Sequence, residues 1–466
     1  MKNTLLLCTL LPFFAGAQQT YVPDDNFEAY LENNGMGNGI VNDDSVTTAN
    51  INSVDELDVH DEDISDLTGI EDFAALTVLQ CWRNQLTSLD VSNNTYLTYL
   101  DCNDNQLTNL DVSNNVYITD LYCGLNHLTN LDLSNNIYLE GLNCSDNHLT
   151  NLDLSNKIYL AVLNCGDNLL ASLDVSNNTN LFYLYCRNNS ITNLDLSSNV
   201  NLTYLYCSSN YLTSLDVSNT TLLWTLSCYS NLLTSLDVSN CSALVEFGCD
   251  NNLLTSLDVS NNTSLLALGC SSNQLTSLDV SNNNLLAVLV CAGNQLTSLD
   301  VSYNVALADL YCNFNQLECL NVKNGNNTNM TCYAHNNPNL SCIEVDDPAW
   351  ATTNWTAADI NIDAGVTFSS NCGNACSSAP TEIGEISPGV SLYPNPATDM
   401  ITVDTEGLIG KIFEVRIYDL RGQLVDQQSN ISRNHIEINT STFQSGMYWC
   451  SVRTNIGQTQ VKFIVQ

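Results

Sequence analysis

The sequence predicts a mostly β chain in which a long solenoid of 21-residue coils with parallel, in-register strands is followed by a small antiparallel β-sandwich. Three observations lead there. Twelve cysteines, from Cys81 to Cys312, recur at a constant 21-residue interval. Residues 18 to 389 hold 43 acidic against four basic residues, whereas 390 to 466 hold seven against six, so the chain divides by charge. That last segment carries short alternating apolar runs separated by turn signals. A fixed short period means one small unit stacked on itself, and no single unit can bury its own apolar residues.

In chain order, residues 1–17 read as a secretory signal: Lys2, an apolar run from Leu5 to Phe14, then Ala15-Gly16-Ala17. No later run is long and apolar enough to span a bilayer. Residues 18–50 read as an N-terminal cap. Pro23-Asp24-Asp25 precede Phe27, Tyr30 and Leu31 at helical spacing, and Asn33-Asn34-Gly35 stops that helix. A cap is needed because the first coil would otherwise expose an open strand edge.

The solenoid is assigned to residues 51–342. Each coil places a strand such as Leu184-Tyr185-Cys186 with Leu and Cys inward. The asparagine three residues after each cysteine, Asn84 through Asn315, is expected to satisfy backbone groups where the chain leaves the strand. The recurring L-x-x-L-x-C-x-x-N-x-L resembles the leucine-rich repeat, and Ile64-Ser65-Asp66-Leu67-Thr68-Gly69-Ile70, in a diverged 22-residue first coil, resembles bacterial internalin-type repeats.

The second half of each coil reads L-D-V-S-N-N, for which a short extended segment is expected. Its outward Asp recurs eleven times from Asp90 to Asp300, with Asn321 last. Like charges so close are unfavourable unless offset. Either each Asp caps its own turn through the amides that follow, or divalent cations such as calcium bind along the ridge. No other cofactor is indicated.

The ladder cysteines read as buried thiols acting as small hydrophobes. In-register strands would hold their Cβ atoms near the strand spacing of about 4.8 Å, beyond the reach of a disulfide. After Asn327 the period breaks, and residues 343–376 read as a C-terminal cap. Disulfides are expected there, Cys342 with Cys372 and Cys319 with Cys332, leaving Cys376 without an assigned partner. Residues 377–389 read as a linker from their Ser, Pro and Gly content.

Residues 390–466 carry about seven predicted strands of an Ig-like sandwich, in which Cys450 alternates into the core. Ser391 to Asp399 (S-L-Y-P-N-P-A-T-D), Ile417 to Val425, Ser445 to Tyr448 and Lys462 to Val465 resemble the C-terminal sorting domain of type IX secretion cargo in Bacteroidetes. The resemblance implies engagement of the type IX secretion machinery, export across the outer membrane, and a secreted or cell-surface destination.

A net charge of −39 repels phosphate backbones and argues against nucleic acid. Catalysis is not expected. Only five histidines are present, and His127 and His148, at one repeat position in adjacent coils, lack further ligands for a metal site. The outward strand positions offer a better candidate. Tyr183, Tyr185, Tyr204, Tyr206 and Tyr229 cluster in consecutive coils beside Arg187, one of four basic residues in the solenoid. Tyrosine suits recognition, and a lone guanidinium there would anchor a carboxylate or stack on a tyrosine. The expected function is recognition of a protein or glycan by the concave face, with an acidic, calcium-linked surface rod as the alternative.

Overall fold

The computed structural model describes residues 17–373, 376, 391–394, 396–405, 412–418, 424–429, 435–444, 446–454 and 458–465. The predicted signal segment and linker lie outside the described residues, apart from Ala17. The chain divides into two compact units, Met1–Cys376 and Ser377–Gln466.

The first unit begins with a strand, Gln19–Tyr21, paired antiparallel with Ser45–Thr47. Between them lies a helix, Asp25–Asn33, capped by the Asp24 carboxylate, which accepts the amides of Asn26 and Phe27 at 3.0 Å. Phe27 and Leu31 bury the inner face of that helix, and the Phe27 ring lies 6.4 Å from Phe73 of the first coil. The cap thus extends the apolar interior beyond the first coil.

Fourteen three-residue strands, from Glu56–Asp58 to Thr331–Tyr333, form one parallel sheet. Their register follows the sequence period, so Leu184 faces Leu205 and Leu205 faces Leu226. The middle leucine of each pair is fully buried and the flanking residues face outward. The cysteine after each of the twelve inner strands continues the ladder, as where the Cys186 amide donates to the Tyr206 carbonyl at 2.8 Å. The ladder cysteines are free and buried.

Two asparagine columns lock successive coils. In the first, Asn189 Nδ2 donates to the carbonyls of Cys165 and Cys186 at 3.0 and 3.2 Å, while its Oδ1 accepts the Leu170 amide at 2.9 Å. Each such residue therefore serves its own coil and the one before. The second column was not anticipated from the sequence. Asn199 Nδ2, for example, donates to Val175 and Asn178 carbonyls at 3.1 and 2.9 Å. Lys157 interrupts this column and is as buried as the asparagines around it. One residue per coil, immediately before the first-column asparagine, adopts a left-handed backbone; Arg83, Leu125 and Asp167 have φ of 54°, 51° and 54°.

The second halves of the coils are less regular than expected. Extended pairing there is confined to a four-stranded sheet of Ser298–Asp300, Cys319–Asn321, Cys342–Glu344 and Thr367–Ser369, with an isolated bridge between Asp90 and Asp111. Elsewhere in those segments the Asp side chain holds the turn.

At the C-terminal end a helix, Pro348–Asn354, is capped by Asp347. Trp355 is buried beside it against Trp350 and Phe368, at ring separations of 5.7 and 6.0 Å. Cys342 is bonded to Cys372. The expected bond between Cys319 and Cys332 does not form: Cys319 pairs with Cys376, and Cys332 is a free, buried thiol. The reason is positional. Cys332 takes the middle position of its strand, in register with Leu310, and points into the core, whereas Cys319 lies on the other sheet.

The second unit is a sandwich of seven described strands. Ser391–Tyr393, Met400–Asp404 and His435–Asn439 form one antiparallel sheet, and Ile412–Tyr418, Leu424–Ser429, Gly446–Thr454 and Gln458–Val465 form the other. Ile401 and Val403 from the first share one core with Val415, Ile417, Cys450 and Phe463 from the second. Among the described residues, no helix is long and apolar enough to cross a membrane.

Candidate functional site

The strands Tyr183–Tyr185 and Tyr204–Tyr206 set four tyrosines side by side on the outward face of the sheet, because residues flanking a buried leucine point away from the core. Their rings touch as a group. Tyr183 lies 6.0 Å from Tyr204 and 5.8 Å from Tyr206, and Tyr185 lies 5.4 Å from Tyr206. Trp224, from the turn before the next strand, meets Tyr204 edge-on at 5.7 Å. Burial, reinforced by neighbouring acidic or phenolic groups, pushes the Tyr183, Tyr185 and Tyr206 hydroxyls up from the ordinary tyrosine value. All three therefore remain neutral at physiological pH and can both donate and accept.

Arg187 is not a free anchor for an incoming carboxylate. Its Nε donates to Asp167 Oδ2 at 3.2 Å, and its guanidinium carbon lies 5.2 Å from the Tyr185 ring centre. Burial opposes the charge most, but the Asp167 hydrogen bond together with the charges of Tyr185, Asp167 and Tyr229 holds the guanidinium above its usual value. Asp167 is the left-handed residue before the ladder asparagine Asn168, and its carboxylate meets Arg187 of the next coil. Tyr229, further along, is half-buried and lies close enough to act on the Arg187 charge. The stacking role foreseen for Arg187 is present in the geometry; the carboxylate it holds is the protein's own.

Further aromatic pairs lie on the outward face. Tyr99 and Tyr122 lie 5.4 Å apart, and burial, with Asp101 and other neighbours, pushes the Tyr99 hydroxyl up to about 12. Tyr311 stacks on Tyr333 at 5.2 Å. His127 and His148 sit 5.9 Å apart, tilted by 44°. Neither belongs to the single three-ligand cluster among the described residues, Asp25, Glu28 and Asp44. In that cluster Glu28 is buried, and its carboxylate already accepts the amides of Asp43 and Asp44.

Along the acidic ridge each carboxylate caps its own turn. Oδ1 of Asp90, Asp111 and Asp132 accepts the amide of the serine two residues on at 2.9 Å. Those serine hydrogen bonds hold the Asp90, Asp111 and Asp132 carboxyls below the ordinary aspartate value. The offset to like-charge repulsion is thus built into every coil.

Two aromatic features were missed in the sequence. Trp224 extends the tyrosine cluster, and Tyr96, Tyr117, Tyr138 and Tyr159 form an exposed column on the flank of the early coils. The 21-residue recurrence of tyrosine three residues before each strand, ahead of Leu97, Ile118, Leu139 and Leu160, would have revealed the column. Attention to the strand positions alone passed over it.

Residues 391–466 match the family of secretion system C-terminal sorting domains. The structure is similar over 97% of its length to the functional domain of InlJ from Listeria monocytogenes, described as including a cysteine ladder, with 28% identity, a TM-score of 0.62 and 99% of that chain covered. An internalin, inlF, from the same species aligns with 76% of this chain and 97% of its own at 22% identity and a TM-score of 0.54, a likeness of fold alone. Shorter sequence matches reach Internalin J of that species, 38% identical over 84 residues, and the ulvan lyase NLR42 of Nonlabens ulvanivorans, 40% identical over 78. These cover 17% and 16% of this chain but only 9% and 14% of those two proteins. The chain is a leucine-rich-repeat solenoid with internalin structural neighbours, and it ends in a type IX secretion sorting domain that directs it to the cell surface or the medium.

Proposed function

We propose that the exported protein is a non-enzymatic binding protein that recognises a protein or glycan through the outward face of its long sheet. The observation that carries this reading is the contiguous aromatic patch of Tyr183, Tyr185, Tyr204, Tyr206 and Trp224, bordered by Arg187. Such a patch offers broad contact area, polar tips and little side-chain entropy to lose. The Arg187–Asp167 pair fixes the edge of the patch rather than supplying an unpaired charge. Because the surrounding surface is strongly acidic, a partner with basic groups at its rim is favoured.

The test is capture of partners from surface extracts of neighbouring cells by the whole protein and by a Tyr185→Ala/Arg187→Ala/Tyr206→Ala variant. A partner retained by the first and lost, at least tenfold in affinity, by the second is the expected result. Equal retention by both would remove the patch from consideration. The alternative, a structural rod cross-linked by calcium along the aspartate ridge, draws on the regular exposed carboxylates from Asp90 to Asp279. Recovery of the protein alone, and only with calcium, selects it.

A further inference from the structure

We propose that a second site, the tyrosine-lined groove on the flank of the early coils, binds a proline-rich peptide in the polyproline II conformation bearing a basic residue. The inference is independent of the concave patch. Tyr96, Tyr117, Tyr138 and Tyr159 stand 60, 52, 45 and 47% exposed, one per coil. They line a groove of about 890 Å³ with a column of threonines and, at its far end, Glu140. The Tyr138 and Tyr159 rings run nearly parallel, 6.4 Å apart and 20° from coplanar. Contiguous exposed aromatic surface of this kind marks an interaction site.

The chemistry of the walls selects the occupant. Backbone amides at the base of the groove are already paired from coil to coil: Thr98, Thr119 and Glu140 donate to the carbonyls of Thr77, Thr98 and Thr119, each at 2.8 Å. No open edge remains for an added strand. The threonine hydroxyls are likewise engaged, donating to Asp55, Thr77 and Thr98 carbonyls at 2.9, 3.2 and 3.2 Å. A sugar chain lying there would lose water from its hydroxyls and gain few donors in return.

A polyproline II segment has neither difficulty. Its backbone stays solvated, it needs no partner strand, and it is ordered before it binds, so aromatic contact alone can hold it. Three coil spacings of about 4.8 Å match about five residues at a rise of 3.1 Å. Glu140, an exposed carboxylate on a chain of net charge −39, selects an arginine or lysine beside the proline run.

The test is calorimetric titration of the full chain with decaproline carrying an arginine at each end. Decaproline without charged ends, an alternating Thr-Val decapeptide and a neutral glucan hexasaccharide serve as comparison probes. The arginine-flanked peptide is expected to bind best. Tyr117→Ala/Tyr138→Ala should weaken it at least tenfold at an unchanged melting temperature. Glu140→Gln should remove the advantage of the arginine ends and leave binding of plain decaproline unaltered. The Tyr185→Ala/Arg187→Ala/Tyr206→Ala variant should bind like the parent. The proposal is overturned if decaproline does not bind, if the groove variant binds it as well as the parent, if the concave-face variant loses it, or if the hexasaccharide or the Thr-Val peptide binds more tightly.

Discussion

The middle coils and the C-terminal cap solve one problem in opposite ways. A middle coil has a neighbour on each side, and Asn189 uses both its own coil and the preceding one to satisfy carbonyls of Cys165 and Cys186. No covalent link is needed, and the cysteines stay as thiols. The last coils lose a neighbour on one side, and there Cys319 and Cys342 are tied to Cys376 and Cys372. Repetition stabilises where neighbours exist; at the C-terminal end, covalent closure takes over.

Breaking the hydrogen-bond column should cost most. Asn189→Ala orphans the buried Leu170 amide and withdraws a shared donor from two buried carbonyls. We expect a loss on the order of 4 kcal/mol in denaturant unfolding. Opening the cap should cost less. Cys342→Ala/Cys372→Ala releases a loop with a sequence separation of 30, worth about 3.6 kcal/mol. A reductant, which opens the Cys319–Cys376 bond as well, should cost at least as much, lowering amide-exchange protection around Thr367–Ser369 while leaving the strands at Cys144 and Cys207 protected. Burial pushes those two thiols up to about 12, so thiol reagents should not label them before unfolding.

The smallest effect runs the other way. Lys157 occupies a second-column asparagine position, and burial, opposed by Asp153 and Asp132, holds its ammonium below the usual lysine value. Lys157→Asn restores donation to the preceding coil and should raise stability by about 1 kcal/mol in the same measurement. A destabilised Lys157→Asn protein would mean that the interruption is tolerated for its own contacts.

What the sequence disclosed and what it hid follow from the same periodicity. The interval of the cysteines set the strands, their register and the inward leucines, because each is a property of one coil repeated. The Asp167–Arg187 pair was hidden because it joins two coils through a left-handed residue, and a conserved-looking letter carries no backbone angle. The Cys319–Cys376 bond was hidden because beyond Asn327 no repeat fixes where the chain travels. The tyrosine column was present at the same interval as the cysteines, but on the flank, where burial gives no signal. In the tail, alternation of apolar residues such as Ile436 and Ile438 marked strands that the two sheets carry.

The bond from Cys319 to Cys376 also has a mechanical meaning. It joins the last described residue before the second unit to a strand 57 residues earlier in the chain. Tension applied beyond Cys376 would enter the stack at Cys319, one position from the buried Leu320, and would bypass the Pro348–Asn354 helix altogether. The cap is thereby outside the load path. A protein tethered or processed at its C-terminal end could be dragged without unspooling the turns that seal its repeat array.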